Sequence, residues 1–191
     1  MKFKSIEKMD SGKYISRYNL KYETSDGKEK IYEMISRDPD IRDFETLHGK
    51  EPADAVVLII HNEDHSKVLL NHEFRLAPGC LVYNFPAGLI DPGETPEEAA
   101  KRELWEETGL VLEKVEDYIP ASYSAVGFSN EKNVVIVGTA SGEFHESTST
   151  VEEIEAGWYT KEEIRELLKT ELFAARTQAY CYLWSKERHE V

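Results

Sequence analysis

The chain has 191 residues, and its 37 Asp and Glu against 23 Lys and Arg give a formal net charge of −14. This length predicts one domain, or one domain with a small appendage. The acidic balance argues against general electrostatic capture of nucleic acid or anionic membranes, because both require neutralising basic side chains. Hydrophobic residues make up 40% of the chain, which is enough for a packed core and excludes wholesale disorder.

The cysteine content and the length of the apolar runs indicate the cellular compartment of the protein. Cys80 and Cys181 lie far apart and have no partner at the spacing of a zinc site, and so few cysteines are typical of a reducing compartment. The longest apolar run, Ala55 to Ile60, is too short to cross a bilayer, and the N-terminus lacks the apolar stretch of a signal peptide. We expect a cytoplasmic protein with no membrane and no nucleic-acid partner.

The N-terminal part of the chain contains a hairpin signal. Apolar residues alternate with polar ones over 13–24 and 28–37, and an Asp-Gly turn lies between the two runs. Residues 38–52 are polar and include two prolines, which indicates a connector. The sequence predicts a strand subdomain over residues 1–50 and a main domain over 51–191.

In the main domain, runs typical of strands are combined with a few helical patterns. Strands are predicted at 53–61, 67–75, 80–88, 111–123, 132–141 and 154–159, and helices at 96–108, 161–169 and 171–186. The last helix has Leu172, Ala175, Ala179 and Leu183 on one face, the pattern of a helix that packs against a core. A sheet with few helices predicts an α+β or mixed α/β sandwich fold.

The helix over 96–108 has well-specified ends. Thr95 is suited to the N-cap, Pro96 to the first helical position, and Glu98 completes a Thr-x-x-Glu capping box. Gly109 supplies the stop.

Three carboxylates of this helix share a narrow face. At about 100° per residue, Glu106 and Glu107 fall within about 60° of Glu103. The face is bordered by apolar residues, and in the last turn the helix dipole disfavours each anion by about 0.3–1 kcal/mol. A hard divalent cation bound by the carboxylates would offset both costs. The alternative is a solvated face stabilised by pairs such as Glu98 with Arg102.

The segment from Gly88 to Leu110 resembles the Nudix box, G-x5-E-x7-R-E-U-x-E-E-x-G-U, where U is aliphatic. Every fixed position matches: Gly88, Glu94, Arg102, Glu103, Leu104, Glu106, Glu107, Gly109 and Leu110. The resemblance implies an α+β fold, a Nudix-like α/β/α sandwich with a mixed sheet, here preceded by the small N-terminal antiparallel strand unit. It also implies a hydrolase that cleaves a nucleoside diphosphate linked to another group.

The resemblance implies a ligand set for the metal. Glu103 and Glu107, followed by Glu106, are the implied metal ligands, with the carbonyl of Ala87 as a further ligand. The implied cofactor is Mg²⁺, with Mn²⁺ as an alternative, which would neutralise the pyrophosphate and lower the pKa of a bound water.

The remaining box residues are implied to support these ligands. Arg102, which we group with the catalytic residues, is expected to form a salt bridge with Glu94 that braces the loop and orients the glutamates. Gly88 and Gly109 are implied to be structural.

A finer resemblance is to the ADP-ribose pyrophosphatase branch of the family. It is carried by the N-terminal strands, by EFR at Glu73 to Arg75, by PAGLIDPGE at Pro86 to Glu94, and by EEIE at Glu152 to Glu155. It implies hydrolysis of ADP-ribose or a related nucleoside diphosphate sugar, giving AMP and ribose 5-phosphate from ADP-ribose. It also implies a homodimer formed through the N-terminal strands, which in some members are exchanged between subunits.

Two residues are candidates for substrate contacts by this resemblance. Arg75 is suited to forked contacts with phosphate or ribose oxygens, and its alternative is a surface salt bridge. Phe128 offers a stacking surface for a base, and its alternative is a core aromatic. Phe128 lies in a turn where Val126 stands near the position of a proline that is common in the branch, and where Gly127 would permit a tight turn.

The general base in this branch is often a glutamate on a mobile loop after the box. Residues 142–155 have the polar composition of such a loop, and Glu152 or Glu153 is the candidate base. Either glutamate could instead be a solvated charge or an additional metal ligand. Two alternative functions remain open. One is a Nudix hydrolase for another sugar nucleotide or dinucleotide. The other is a non-catalytic nucleotide-sensing domain, and the intact Glu103, Glu106 and Glu107 argue against it.

Overall fold

The computed structural model describes residues 1–48, 52–148 and 153–186. The chain divides into two compact units. Unit 1 comprises Met1–Ala55 and Pro120–Val134, and unit 2 comprises Val56–Ile119 and Val135–Val191.

The elements follow the predicted order closely. The strands are β1 (Lys2–Ser11), β2 (Ser16–Glu23), β3 (Glu29–Ser36), β4 (Ala55–His61), β5 (Lys67–Arg75), β6 (Cys80–Asn84), β7 (Ala87–Leu89), β8 (Val111–Tyr123), β9 (Lys132–Ser141) and β10 (Ile154–Thr160). The helices are α1 (Pro96–Thr108), α2 (Lys161–Thr170) and α3 (Ala175–Lys186), with a short 3-10 helix at Thr46–His48. Strands β5, β8 and β9 and helix α1 begin and end at the predicted residues.

Unit 1 contains a three-stranded antiparallel sheet in the order β1-β2-β3. The predicted hairpin is confirmed as β2 and β3, and Gly27 in the connecting turn has a φ of 79°, which a glycine adopts without strain. Its small core is formed by the buried side chains Tyr18, Leu20, Met34 and Ile41. Strand β1 was not predicted, because most of its side chains are exposed and its sequence lacks apolar alternation.

The larger sheet has seven strands, in the order β10-β5-β4-β9-β8, with β6 paired to β5 and β7 paired to β4. Strand β5 is buried on both faces. Val68 and Leu70 belong to the core that includes Ile164 of α2 and Cys181 of α3. Asn71 and the other odd-numbered residues of β5 point to the opposite face, where α1 packs. Helices therefore cover both faces, and the predicted α/β/α sandwich with a preceding antiparallel strand unit is confirmed.

Two predictions about element boundaries in unit 2 were wrong. The run predicted as one strand over 80–88 is split into β6 and β7 at Phe85–Pro86, and proline has no N–H to continue a ladder. Helix α3 begins at Ala175 rather than at residue 171, because Leu172–Ala174 runs as an extended segment beside Tyr83. The Tyr83 N–H donates to the Leu172 carbonyl (2.8 Å), and the Ala174 N–H donates to the Tyr83 carbonyl (2.9 Å).

The predicted packing face of α3 was also wrong. Leu172 and Leu183 are 60% and 66% exposed, and Ala175 and Ala179 are exposed as well. The buried side chains of α3 are instead Thr177, Cys181, Trp184 and Ser185. These four residues recur at i, i+4, i+7 and i+8, so the packed face of α3 is a different face from the leucine and alanine stripe.

Two further expectations concern cysteines and membranes. Both cysteines are free; Cys181 lies buried in the core of unit 2, and Cys80 is half-buried at the start of β6. Across the described residues, no helix has the length and apolar character needed to cross a membrane.

Candidate active site

Helix α1 is defined at both ends by the residues that the sequence indicated. The Glu98 N–H donates to the Thr95 side chain (3.3 Å), and the Thr95 N–H donates to the Glu98 carboxylate (2.8 Å), which is the predicted capping box. At the other end Gly109 has a φ of 83°, and its N–H donates to the Trp105 carbonyl (2.9 Å). These caps fix which residues of α1 face the sheet.

The segment after β9 packs against the C-terminal end of α1. The His145 N–H donates to the Thr108 carbonyl (3.1 Å), and the Thr148 N–H donates to the Glu106 carbonyl (2.9 Å). A Cβ on Gly109 would lie 2.6 Å from the His145 ring, so this approach also requires a glycine. The two N–H groups satisfy helix carbonyls that would otherwise lack partners, which offsets part of the negative end of the helix dipole beside the glutamates.

Glu103 lies directly against the backbone of β7. A Cβ built on Gly88 would lie 1.8 Å from the Glu103 Cδ and 1.9 Å from its Oε1. No side chain larger than hydrogen fits at position 88 while Glu103 keeps this position. Ala87, whose carbonyl is a predicted metal ligand, directly precedes this glycine at the start of β7.

Arg102 forms the centre of a charged network. Its Nε and Nη2 donate to the two carboxylate oxygens of Glu94 (2.9 and 2.8 Å), and Nη2 also donates to the Leu89 carbonyl (2.9 Å). Nη1 donates to Glu103 Oε1 (2.7 Å) and to Glu106 Oε2 (3.3 Å). Arg102 therefore joins the loop before α1 to two of the candidate metal ligands.

The network has electrostatic consequences. The hydrogen bond to Glu94, with that to Glu103, raises the pKa of Arg102, and the Arg102 guanidinium in turn lowers the pKa of Glu94. The alternative pairing of Glu98 with Arg102 does not account for this helix, because the Glu98 carboxylate accepts hydrogen bonds from Thr95 instead. The shared face is thus organised around Arg102 rather than by simple solvated pairs.

Glu107 is held by a residue that the sequence did not single out. Asn71, in β5, donates from Nδ2 to Glu107 Oε2 at 2.8 Å. Asn71 is 0% and Glu107 6% exposed. Among the described residues Asn71 Oδ1 has no hydrogen-bond partner. The available signal was the position of Asn71 in a strand that is buried on both faces, immediately after three apolar residues.

A second buried carboxylate lies two residues further along β5. Glu73 Oε1 accepts from Asn84 Nδ2 (2.9 Å), and Thr177 Oγ1 donates to Asn84 Oδ1 (3.0 Å). Arg75 Nη1 lies 3.5 Å from Glu73 Oε2, and the Arg75 side chain is otherwise exposed. The candidate substrate residue Arg75 is thus paired with a carboxylate that a buried amide holds.

The candidate bases lie in a region that is only partly described. Glu152 lies outside the described residues. Glu153 is exposed, its carbonyl accepts from the Phe74 N–H (3.0 Å), and its side chain lines an open cleft of about 480 Å³ with His72 and Glu155. The same cleft is lined by Glu146 and Ser147, which lie in the segment that packs against the C-terminal end of α1.

Phe128 belongs to unit 1. Its carbonyl accepts from the Ile35 N–H (2.8 Å), and its half-exposed ring lines an apolar cavity of about 560 Å³ with Tyr32, Met34 and Val126. Phe128 is therefore an exposed aromatic rather than a core residue. Gly127 does not need left-handed backbone there, since its φ is not positive.

The donor set suits a hard divalent cation. Carboxylate and carbonyl oxygens are the ligands that Mg²⁺ and Mn²⁺ prefer, and the space over Gly88 is kept for the Glu103 carboxylate. Over residues 1–48, 52–148 and 153–186, no three acidic, histidine or cysteine side chains are already grouped as ligands of one ion. In this structure the guanidinium of Arg102 forms ion pairs with the carboxylates of Glu103 and Glu106.

Comparison with known proteins agrees with this geometry. Residues 51–181 match the model of the NUDIX domain. The chain is 35% identical to the mouse ADP-sugar pyrophosphatase over 145 residues, which is 73% of this chain and 61% of the relative. It is 32% identical to the Bacillus subtilis ADP-ribose pyrophosphatase over 125 residues, 65% of this chain and 58% of the relative. The chain thus spans about three fifths of the length of these relatives.

A solved structure shows the same fold. The crystal structure of an ADP compounds hydrolase superposes with a TM-score of 0.70 at 19% identity, covering 96% of this chain and 92% of that chain. The family match covers well over half of this chain and includes the capped helix, the Arg102 network and the glutamates that they position. The chain belongs to the Nudix hydrolase family.

Proposed function

We propose that this protein hydrolyses the pyrophosphate bond of ADP-ribose or a related nucleoside diphosphate sugar in a Mg²⁺-dependent reaction, giving AMP and ribose 5-phosphate from ADP-ribose. The observation that carries the proposal is the position of Glu103, which rests against Gly88 and is held there by Arg102. The names of the mouse and B. subtilis relatives support the substrate class.

The proposed metal ligands are Glu103, Glu106, Glu107 and the carbonyl of Ala87. When bound, Mg²⁺ or Mn²⁺ supplies charge neutralisation of the pyrophosphate and a water of lowered pKa. Arg102 orients two of these carboxylates by its hydrogen bonds to Glu103 and Glu106. Such pre-orientation is valuable because the ligands are then placed before substrate binds.

Substrate recognition is proposed to involve Arg75 and Phe128. The guanidinium of Arg75 can form forked contacts with phosphate or ribose oxygens, and Glu73 limits its freedom. The exposed ring of Phe128 offers a flat surface on which a base can stack. Each of these residues is exposed enough to meet a ligand.

The general base is proposed to be Glu152 or Glu153. Glu153 is solvent-exposed and directly precedes β10, so its carboxylate is accessible to water. Replacing the true base by glutamine should lower kcat by about 10²- to 10⁴-fold. Comparing the kcat of Glu152→Gln with that of Glu153→Gln identifies the base. If both variants keep the wild-type kcat, neither glutamate is the general base.

A cytoplasmic homodimer formed through the N-terminal strands, residues 1–50, is also proposed. Ile31 of β3 and Met9 of β1 are exposed apolar side chains of this sheet, and they are candidates for an interface. Light scattering should give the mass of a dimer for the wild-type protein. Ile31→Asp should dissociate into monomers at higher protein concentration than the wild type. A monomeric wild type at micromolar concentration would contradict the proposal.

The decisive experiment for the activity is a product assay over a panel of nucleoside diphosphate sugars and dinucleotides. We expect AMP and ribose 5-phosphate from ADP-ribose with Mg²⁺ and no turnover with chelator. Glu107→Gln should remove the Mg²⁺-dependent turnover while the fold is retained. No hydrolysis of any compound with either metal would favour a nucleotide-sensing domain, and preferred hydrolysis of another compound would revise the substrate.

A further inference from the structure

We propose that Asn71 is a positioning residue for the metal site: its amide fixes the carboxylate of Glu107 in the orientation that binds the cation. This inference rests on the proposed role of Glu107 as a metal ligand. It goes beyond that role because Asn71 lies outside the box and on a different element, β5.

The orientation of the amide follows from the contact itself. An ionised carboxylate can only accept hydrogen bonds, so the Asn71 group that lies 2.8 Å from Glu107 Oε2 must be the NH₂. Oδ1 then points away from Glu107, and within the described part of the chain it has no partner. Asn71 therefore satisfies one carboxylate and leaves its own acceptor unsatisfied in a fully buried position.

The arrangement satisfies Glu107 and leaves one acceptor of Asn71 without a partner. A buried acceptor without a partner costs free energy, and a leucine of similar size at position 71 would avoid that cost, but it would leave the buried Glu107 carboxylate without this hydrogen bond. The contribution that an apolar residue cannot make is the charge-assisted hydrogen bond to Glu107. Asn71 therefore acts through Glu107.

The scaffold of Asn71 is suited to this role. Asn71 lies in the middle of β5, where it is paired with Ala156 of β10 on one side and with Asn84 of β6 on the other. A side chain on a strand that is hydrogen-bonded on both sides has little freedom to move. Glu107, near the C-terminal end of α1, is thereby anchored to the sheet, whereas Glu103 is anchored by Arg102 and Gly88. The two ligands are therefore held by different residues on different strands of the sheet.

The test measures metal affinity rather than activity alone. Mn²⁺ binding is followed by calorimetry or electron paramagnetic resonance for wild type, Asn71→Leu and Glu107→Gln, and unfolding is measured in chelator. We expect Asn71→Leu to weaken Mn²⁺ binding by about 10- to 100-fold, the range for residues that hydrogen-bond to metal ligands. Its stability in chelator should fall, as in the control, because the buried Glu107 carboxylate loses a hydrogen-bond donor. Its kcat should fall while KM changes little.

Asn130→Leu is the matched control. Asn130 is also buried, donates from Nδ2 to the Leu47 carbonyl (3.0 Å), and has an unpartnered Oδ1, but it lies in unit 1 and contacts no box glutamate through that amide. This control should lose stability and retain Mn²⁺ affinity. If Asn71→Leu does not fold, Asn71→Ala carries the same comparison without added bulk.

Wild-type Mn²⁺ affinity in the Asn71 variants, or an equal loss of affinity in Asn130→Leu, would overturn the inference. The same holds if the wild type does not bind Mn²⁺. If the wild type binds Mn²⁺ but hydrolyses no nucleoside diphosphate, the proposed function fails, and the affinity comparison still decides the role of Asn71.

Discussion

The carboxylate of Glu103 occupies the space that a side chain at Gly88 would need, with the Glu103 Cδ only 1.8 Å from the ideal Cβ position. Gly88→Ala must therefore displace the carboxylate or strand β7. Because a displacement of about 1 Å in a catalytic group costs about 100-fold in rate, we expect a loss of that order in kcat. Steady-state kinetics with Mg²⁺ and Mn²⁺ titrations on the variant measure it.

Gly127→Ala is the matched control for this substitution. A Cβ on Gly127 meets no atom within 4 Å, and its φ is ordinary for any residue. The control should keep the kcat and the Mn²⁺ affinity of the wild type. If Gly88→Ala behaves like Gly127→Ala, the Glu103 carboxylate does not need its present place for catalysis.

The pairing of Glu94 with Arg102 predicts a pH-dependent stability. The guanidinium holds the folded-state pKa of Glu94 below its ordinary value of 4.5, so between those two pKa values the unfolded chain binds more protons. The stabilisation from Glu94 is present above about pH 4.5 and is lost as the pH falls through the lowered pKa. Urea unfolding from pH 3 to 7 should show Glu94→Gln less stable than wild type at pH 7, with the difference shrinking on acidification.

Glu97→Gln serves as the reference for that series. Glu97 pairs with Lys101 on the exposed surface of the same helix, where such an i,i+4 pair contributes about 0.2–0.5 kcal/mol. Its effect should be small at every pH. A gap between wild type and Glu94→Gln that stays constant from pH 3 to 7 would show that the carboxylate titrates alike in both states.

Local signals were sufficient for the parts of the fold that are determined locally. The ends of α1 follow from Thr95, Glu98 and Gly109, whose side-chain and backbone chemistry acts within a few residues. The charged face of α1 was likewise visible in the spacing of its glutamates. The helical spacing alone did not predict the hydrogen bonds between Arg102 and Glu94, which only the family resemblance implied. A helical pattern carries no information about the loop that precedes the helix.

The elements that were missed depend on distant partners. The start of α3 is set by the pairing of Leu172–Ala174 with Tyr83, about 90 residues earlier in the chain, which no local window contains. The roles of Asn71 and Glu73 also depend on distant residues, since their hydrogen-bond partners Glu107 and Asn84 lie on other elements. Because Val68, Leu69 and Leu70 are apolar in succession, the sequence also does not indicate which face of β5 receives a functional polar side chain.

The two cysteines should differ in reactivity. Burial raises the pKa of the Cys181 thiol to about 12, so at pH 8 it is both inaccessible and protonated, whereas Cys80 is half-buried. We expect one maleimide adduct on the folded protein and a second only after unfolding in urea. In Cys80→Ser, intact mass should show no rapid adduct before unfolding, and a fast one would place Cys181 within reach of solvent.

The ion pair between Arg75 and Glu73 allows the two interpretations of Arg75 to be separated. If Arg75 contacts the phosphates or ribose, Arg75→Ala loses charge-assisted hydrogen bonds, which corresponds to about a 10- to 100-fold fall in kcat/KM, expressed mainly in KM. Glu73→Gln should act in the same direction but less strongly, because it frees Arg75 without removing it. Arg165→Ala is the control, since Arg165 is a partly exposed arginine that forms an ion pair with a glutamate of its own element, Glu162 on α2. Equal kcat/KM values for Arg75→Ala and Arg165→Ala would assign Arg75 to a surface salt bridge, because an exposed ion pair contributes little and has no access to the transition state.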